Sequence, residues 1–196
     1  MEIRLLHGAA IAPYIDDLAR LRLTVFREFP YLYDGTLESE ADYLANYARS
    51  GRSLVVLALD DGKLVGASLG LPLVDGSSQL QQPFLAQGRD PASVYYFAES
   101  VLLPAYRGRG LGVRFFIERE SYAHKLAEFD YCTFCTVERP NGHPLRPTDY
   151  KPLHGFWRNR GFLDEPTLRS SHAWRDLDEQ EESAKIMSFW LKPLPL

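Results

Sequence analysis

Apolar and polar positions change period several times along the chain, and each change marks an element. Residues 2–7 read as a short strand. After Pro13, Ile15, Leu18, Leu21, Leu23, Val25 and Phe26 give an irregular helical stripe, predicting a helix near 13–28. Residues 30–36 are turn material. Residues 37–49 form a second helix, with Ala41, Leu44, Ala45 and Ala48 on one side and Gly51 as its stop. An apolar strand at 53–59, the turn Asp60-Asp61-Gly62-Lys63 and a returning strand at 64–74 make a hairpin. The polar excursion 75–91 has room for a short helix near 80–86. A strong strand at 94–103 ends at Pro104, and a glycine-rich stretch at 107–112 opens a helix running to about residue 128. A strand at 131–137 follows, then a loop stiffened by Pro140, Pro144, Pro147 and Pro152. A short helix near 152–159 stops at Gly161, and two strand-like runs lie near 167–176 and 184–192. The order β-α-α-β-β-β-α-β-α-β-β describes one α/β (α+β) domain over residues 1–196 with a mixed sheet, not a regularly alternating parallel fold.

Composition narrows the function classes. Hydrophobic residues at 45% and charged residues at 24% are globular values and exclude general disorder. No apolar run approaches the ~18 residues of a membrane span, and residues 1–7 turn polar too soon for a signal peptide. A net charge of −4 argues against a dedicated nucleic-acid binder. Cys132 and Cys135 form a C-x-x-C, but inside a β-branched and aromatic strand, where positions three apart face opposite sides. They read as small core residues rather than a redox pair or half a zinc site. The absence of other cysteines fits a reducing cytoplasm.

Chemistry concentrates in Glu99-Ser100-Val101-Leu102-Leu103-Pro104-Ala105-Tyr106-Arg107-Gly108-Arg109-Gly110-Leu111-Gly112-Val113. A strand ends, a short loop turns and a helix begins. Glycines at 108, 110 and 112 let main-chain amides converge at a positive helix end, which suits a pyrophosphate. Arg107, Arg109 and Arg114 add flanking charge. A bare flexible turn is the competing reading. A dinucleotide site is a further rival, with Asp130 at the ribose-binding distance, but the glycine spacing and the preceding antiparallel-looking strands oppose it.

The segment from Leu102 to Gly112 resembles the acetyl-CoA motif of the GNAT acyltransferase superfamily, whose pattern Arg107, Gly110 and Gly112 fill. Gly155-Phe156-Trp157-Arg158-Asn159-Arg160-Gly161-Phe162 resembles that family's short helix closed by Gly-Phe, and the element order matches along nearly the whole chain. The resemblance implies a mostly antiparallel central sheet flanked by helices and acetyl-CoA as co-substrate, with no metal. It implies that Arg107, Gly108, Arg109, Gly110, Leu111, Gly112 and Val113 hold the pyrophosphate. Around Val101, Leu102 and Leu103, the strand would splay from 131–137, bind pantetheine through free main-chain groups and polarise the acyl carbonyl. An amine of a small molecule or peptide would attack the thioester directly.

Glu99 interrupts an apolar, aromatic strand and is the candidate base, its carboxyl expected to be raised by burial; a charge on the strand's open face or a core pair with an arginine is the structural alternative. Ser100 orients a water or is simply a small strand residue. Many family members carry a tyrosine as general acid where this chain has Trp157, whose indole cannot serve. Tyr150 is the first replacement, with His154 and Cys135 behind it. The stiff loop 138–150 suits acceptor recognition, or caps the sheet edge; His143 lacks a second metal ligand at matching spacing. The acidic run 176–182 reads as a solvated hairpin turn. The expectation is an N-acetyltransferase without nucleic-acid or membrane partners, with a homodimer left open. A catalytically silent CoA-binding regulatory or interaction module, or transfer to oxygen or of a longer acyl group, are the alternatives.

Overall fold

The computed structural model describes residues 1–195. Strand β1 (Glu2–Leu6) leads through a 3-10 segment into helices α1 (Ile15–Phe26) and α2 (Leu37–Arg49). Strands β2 (Leu54–Asp60) and β3 (Lys63–Pro72) make the hairpin, helix α3 (Ser78–Ala86) occupies the polar excursion, and β4 (Val94–Leu102) runs into α4 (Leu111–Leu126). Strand β5 (Tyr131–Val137), helix α5 (His154–Arg158), β6 (Leu163–Trp174) and β7 (Ser183–Pro193) follow. The strands form one sheet of order β1-β2-β3-β4-β5-β7-β6, antiparallel except for β4–β5. The β4–α4–β5 crossover makes that parallel pair. The predicted order of elements holds, including the short helix in the excursion; β6 begins at Leu163, earlier than its apolar run suggested.

Local chemistry sets the boundaries. Thr36 and Ser39 form a reciprocal capping box at the start of α2. Gly110, at φ +83°, is the N-cap of α4, and Ala127 ends it in a left-handed conformation. Both faces of the sheet are covered. On one side α1, α2 and α3 bury Leu18, Leu44 and Phe84 against Val55, Leu57, Leu69 and Phe189. On the other, α4 and α5 close an aromatic core of Tyr95, Phe97, Phe116, Phe134, Phe162 and Trp190. Cys132 and Cys135 are free, buried and on opposite faces.

One irregularity shapes the centre. Leu69 pairs with Glu99 and Gly70 with Phe97, so Ala98 is an extra residue in β4. A bulge bends its strand and shifts alternation by one. Tyr95 and Phe97 point to the α4 side, whereas Glu99 and Val101 point to the α1–α2 side. Strict period-2 alternation would have put Glu99 with Phe97. The bend also parts β4 from β5: they pair only at Val94–Tyr131, Tyr95–Cys132 and Tyr96–Thr133.

Candidate active site

From Phe97 onward, β4 has no strand on its β5 side. The gap starts upstream of Val101, Leu102 and Leu103, the stretch where the sequence resemblance located it. Phe97, Ser100, Gly112, Phe116, Phe134, Phe156 and Trp157 border a slot of about 140 Å³ on the α4 side. A larger cavity, about 350 Å³, opens on the α1–α2 side. Its walls are largely aromatic, with Phe26, Tyr31, Tyr33, Tyr43, Tyr96 and Trp174, and α3 contributes Leu80. Phe26, Tyr31, Ala98, Glu99 and Cys135 border both spaces, which therefore adjoin where the strands part.

Glu99 lies at that junction, 8% exposed. Its carboxylate accepts hydrogen bonds from Arg22 and from the Tyr43 hydroxyl, the latter at 3.0 Å. Arg22, itself buried, also pairs with Glu40 of α2, and its guanidinium lies 4.3 Å from the Tyr43 ring centroid. Burial opposes the Arg22 charge, but Tyr43 and Glu40 outweigh it and raise its pKa. Two carboxylates thus share one guanidinium. The arginine-paired alternative for Glu99 is the geometry found. On the other face Arg119, 1% exposed, donates to the carbonyls of Leu69 and Glu99 at 3.2 and 3.1 Å and to Ser100 Oγ at 2.7 Å. Ser100 Oγ thus accepts from Arg119 beside the bulge.

The loop before α4 presents Gly108 at φ +74° and Gly110 at φ +83°, conformations that side chains rarely adopt. The first main-chain bond of α4 runs from Arg114 N–H to Gly110 O, so the amides of Leu111, Gly112 and Val113 have no partner within the helix. No side chain caps them. Arg107 is already engaged: it donates to Leu102 O at 3.0 Å and to Glu28 at 2.8 Å, tying the loop to the end of β4. Arg109 lies over Tyr106 and Arg114 pairs with Glu118.

The replacements for the missing tyrosine separate. Tyr150 packs edge-on to Phe29, with ring centroids 4.6 Å apart, and borders a different cleft, formed by loop 138–150 and α5. His154 lies in that same cleft. Trp157 packs against Phe134 and Trp190 at about 5 Å. Only Cys135 reaches the junction, where Tyr96 Oη lies 3.2 Å from its Sγ and burial pushes the thiol up to about 12. Periodicity gave no reason to single out Arg22, Glu40, Tyr31 or Tyr43 as site residues, because nothing local marks a helix arginine or a loop tyrosine as facing a cavity. Among the described residues, no cluster of His, Cys, Asp or Glu is placed to hold a metal, and no helix is long and apolar enough to cross a membrane.

No protein-family model and no curated protein matches the chain in sequence. Solved structures do match in shape. A ribosomal-protein-alanine N-acetyltransferase from Brucella melitensis superposes with a TM-score of 0.61 at 15% identity, covering 99% of this chain and 100% of that one. A PaiA N-acetyltransferase from Thermoplasma acidophilum, in complex with coenzyme A, gives 0.57 at 16% identity over 98% and 99%. GphF, a GNAT-like decarboxylase in complex with isobutyryl-CoA, gives 0.63 at 15% identity over 100% of both chains. The chain has the GNAT fold.

Proposed function

We propose that the protein transfers an acyl group, acetyl in the simplest case, from acyl-CoA to a primary amine by direct attack. The observation that carries this reading is that two spaces adjoin where strands β4 and β5 part, with Glu99 bordering both. The pyrophosphate lies on the amides of the 107–113 segment, where the helix end is positive. Pantetheine runs through the slot along the unpaired edge of β4 and brings the thioester to Ala98 and Glu99. The amine enters from the aromatic cavity. Its size and apolar walls favour a small amine with an apolar body over a folded peptide segment. The aromatic rings of the cavity attract its ammonium. Glu99 accepts the ammonium proton, directly or through water, and the free amine attacks the acyl carbon. The structural relatives bound to CoA and acyl-CoA support the choice of donor.

Ligand-induced stabilisation tests the donor site. Saturating CoA or acetyl-CoA raises Tm by several degrees, by mass action on the folded state. Gly110→Asp puts a carboxylate where the pyrophosphate binds and abolishes the shift. A folded variant that retains the full shift places the phosphate site elsewhere. Release of free CoA with a panel of small amines then tests transfer, and a CoA-binding protein silent with every amine reverts to a binding module.

A further inference from the structure

Acyl transfer makes no use of the stiff loop 138–150 or of the cleft that it forms with α5 and the strands β5, β6 and β7. That cleft has a volume of about 430 Å³, enough for a small molecule. Arg139, Arg146, Arg158 and Arg169 line it, and two of them are spent. Arg139 donates to the carbonyls of Pro30 and Tyr31, each at 2.7 Å, and pairs with Asp176 through two nitrogens. Arg169 pairs with both carboxylates that line the cleft, Glu138 at 2.7 Å and Asp164 at 3.5 Å. Arg146 and Arg158 have no carboxylate partner among the described residues. We infer that the cleft binds a small ligand carrying a carboxylate or phosphate on a planar body, with the oxyanion on these two guanidiniums; the site stands whether or not the protein transfers an acyl group.

Each of the two arginines lies against a ring. Arg146, half-buried, is 5.0 Å from the Tyr150 centroid, and its side chain has one long polar contact, to Asn141 Oδ1 at 3.5 Å. Arg158, exposed on α5, is 5.7 Å from the Trp190 centroid. A guanidinium over a ring spends its flat face there and keeps its N–H edge for an acceptor in its own plane. That edge matches the paired oxygens of a carboxylate or phosphate. The walls offer a planar body two packed pairs of rings, Phe29 with Tyr150 at 4.6 Å and Trp157 with Trp190 at 5.0 Å. The loop is shaped in advance. Main-chain bonds from His143 N–H to Pro140 O at 3.1 Å, Arg146 N–H to His143 O at 3.0 Å and Tyr150 N–H to Pro147 O at 3.1 Å fold it into successive turns. Its prolines stiffen it further, so little freedom remains to be lost when Arg146 engages a ligand. The helix-end amides at 107–113 are separate: none of those residues lines the cleft, which shares only Thr136 and Trp157 with the slot.

Calorimetric titration with phenyl phosphate and benzoate tests the site, with phenol as the uncharged ring and inorganic phosphate as the ringless anion. The two ring-bearing anions should bind saturably, phenol should not, and inorganic phosphate should bind more weakly than phenyl phosphate. Replacing both arginines, Arg146→Gln with Arg158→Gln, should weaken the ring-bearing anions by about tenfold or more, because hydrogen bonds to charged groups are lost. Arg20→Gln removes an exposed arginine of α1 that does not line the cleft and should leave both affinities within about twofold. Saturating CoA should leave them unchanged. No saturable binding of either ring-bearing anion, or equal losses in the Arg20 variant and the double variant, overturns the site. Equal affinity for inorganic and phenyl phosphate overturns the planar body. Displacement of the probes by CoA assigns the cleft to the acyl donor and overturns a separate ligand.

Discussion

At Glu99 one carboxylate pairs with a buried guanidinium and, in the proposed transfer, accepts a proton. The two roles separate experimentally because Arg22 has a second partner. Glu99→Gln and Glu40→Gln each leave Arg22 with a single carboxylate, and Glu40 does not border the cavity. Each loses a charged hydrogen bond, about 2 kcal/mol, or about 4–8 °C in Tm for a chain of this length. Their rates should differ. Glu99→Gln lowers kcat by roughly 10²-fold at neutral pH with CoA affinity retained, and the gap narrows at high pH, where free amine is plentiful. Glu40→Gln stays within about threefold of wild type. Equal rate losses would mean that the pairing of Arg22, not the basicity of Glu99, is what the reaction needs. Glu99 stood out in the sequence as a charge in an apolar strand. Its partners were not, because Arg22 lies 77 positions away and the Ala98 bulge, invisible in the hydropathy pattern, decides which face Glu99 joins.

At the scale of elements, the β6–β7 hairpin does more than close the sheet. The run 176–182 reads as a solvated turn, yet Asp176 is 2% exposed and pairs with Arg139, 37 positions upstream. Local charge patterning assumes water as the partner and cannot register a cation arriving from another element. The hairpin thereby anchors the loop that carries Tyr31: Leu177 N–H donates to Leu32 O at 2.8 Å and Asp34 N–H to Arg175 O at 3.0 Å. Glu179 secures the turn, accepting from Lys185 Nζ at 2.8 Å, the Asp176 amide at 3.0 Å and Ser183 at 2.7 Å. Those contacts, Lys185 foremost, hold its carboxyl down at about 2 against an ordinary 4.5. A carboxyl lowered in the folded state binds fewer protons there than in the unfolded chain. Its stabilisation is therefore full above 4.5 and is lost as pH falls toward 2. Over that window Tm of the wild type should fall more steeply than Tm of Glu179→Gln, followed by near-ultraviolet circular dichroism. Parallel curves would show that the turn contributes no acid sensitivity.

For the whole molecule, the sheet separates two cavities that adjoin where β4 and β5 part. Element order and the strand–glycine loop–helix signature were legible because each is local in sequence. The parting takes in the expected stretch 101–103 but begins at Phe97, because it depends on where the bulge separates two strands that the crossover brings together. Its geometry bears on kinetic order. In the proposed transfer the slot on the α4 side and the cavity on the α1–α2 side fill at the same time, and donor and amine meet without a carrier on the protein. The thiol best placed to act as one is Cys135, but burial pushes it up to about 12, so the nucleophilic thiolate is scarce at neutral pH. Initial-rate lines at varied acetyl-CoA and amine should therefore intersect rather than run parallel. Protein incubated with acetyl-CoA alone should show no acetyl adduct on Cys135 by intact-mass and peptide spectrometry. Cys135→Ala removes a side chain that borders both spaces and the contact with Tyr96, so it should raise KM for the amine modestly while kcat stays within about threefold. Parallel lines, an acetylated Cys135 and loss of turnover in Cys135→Ala would together replace direct attack with a covalent relay.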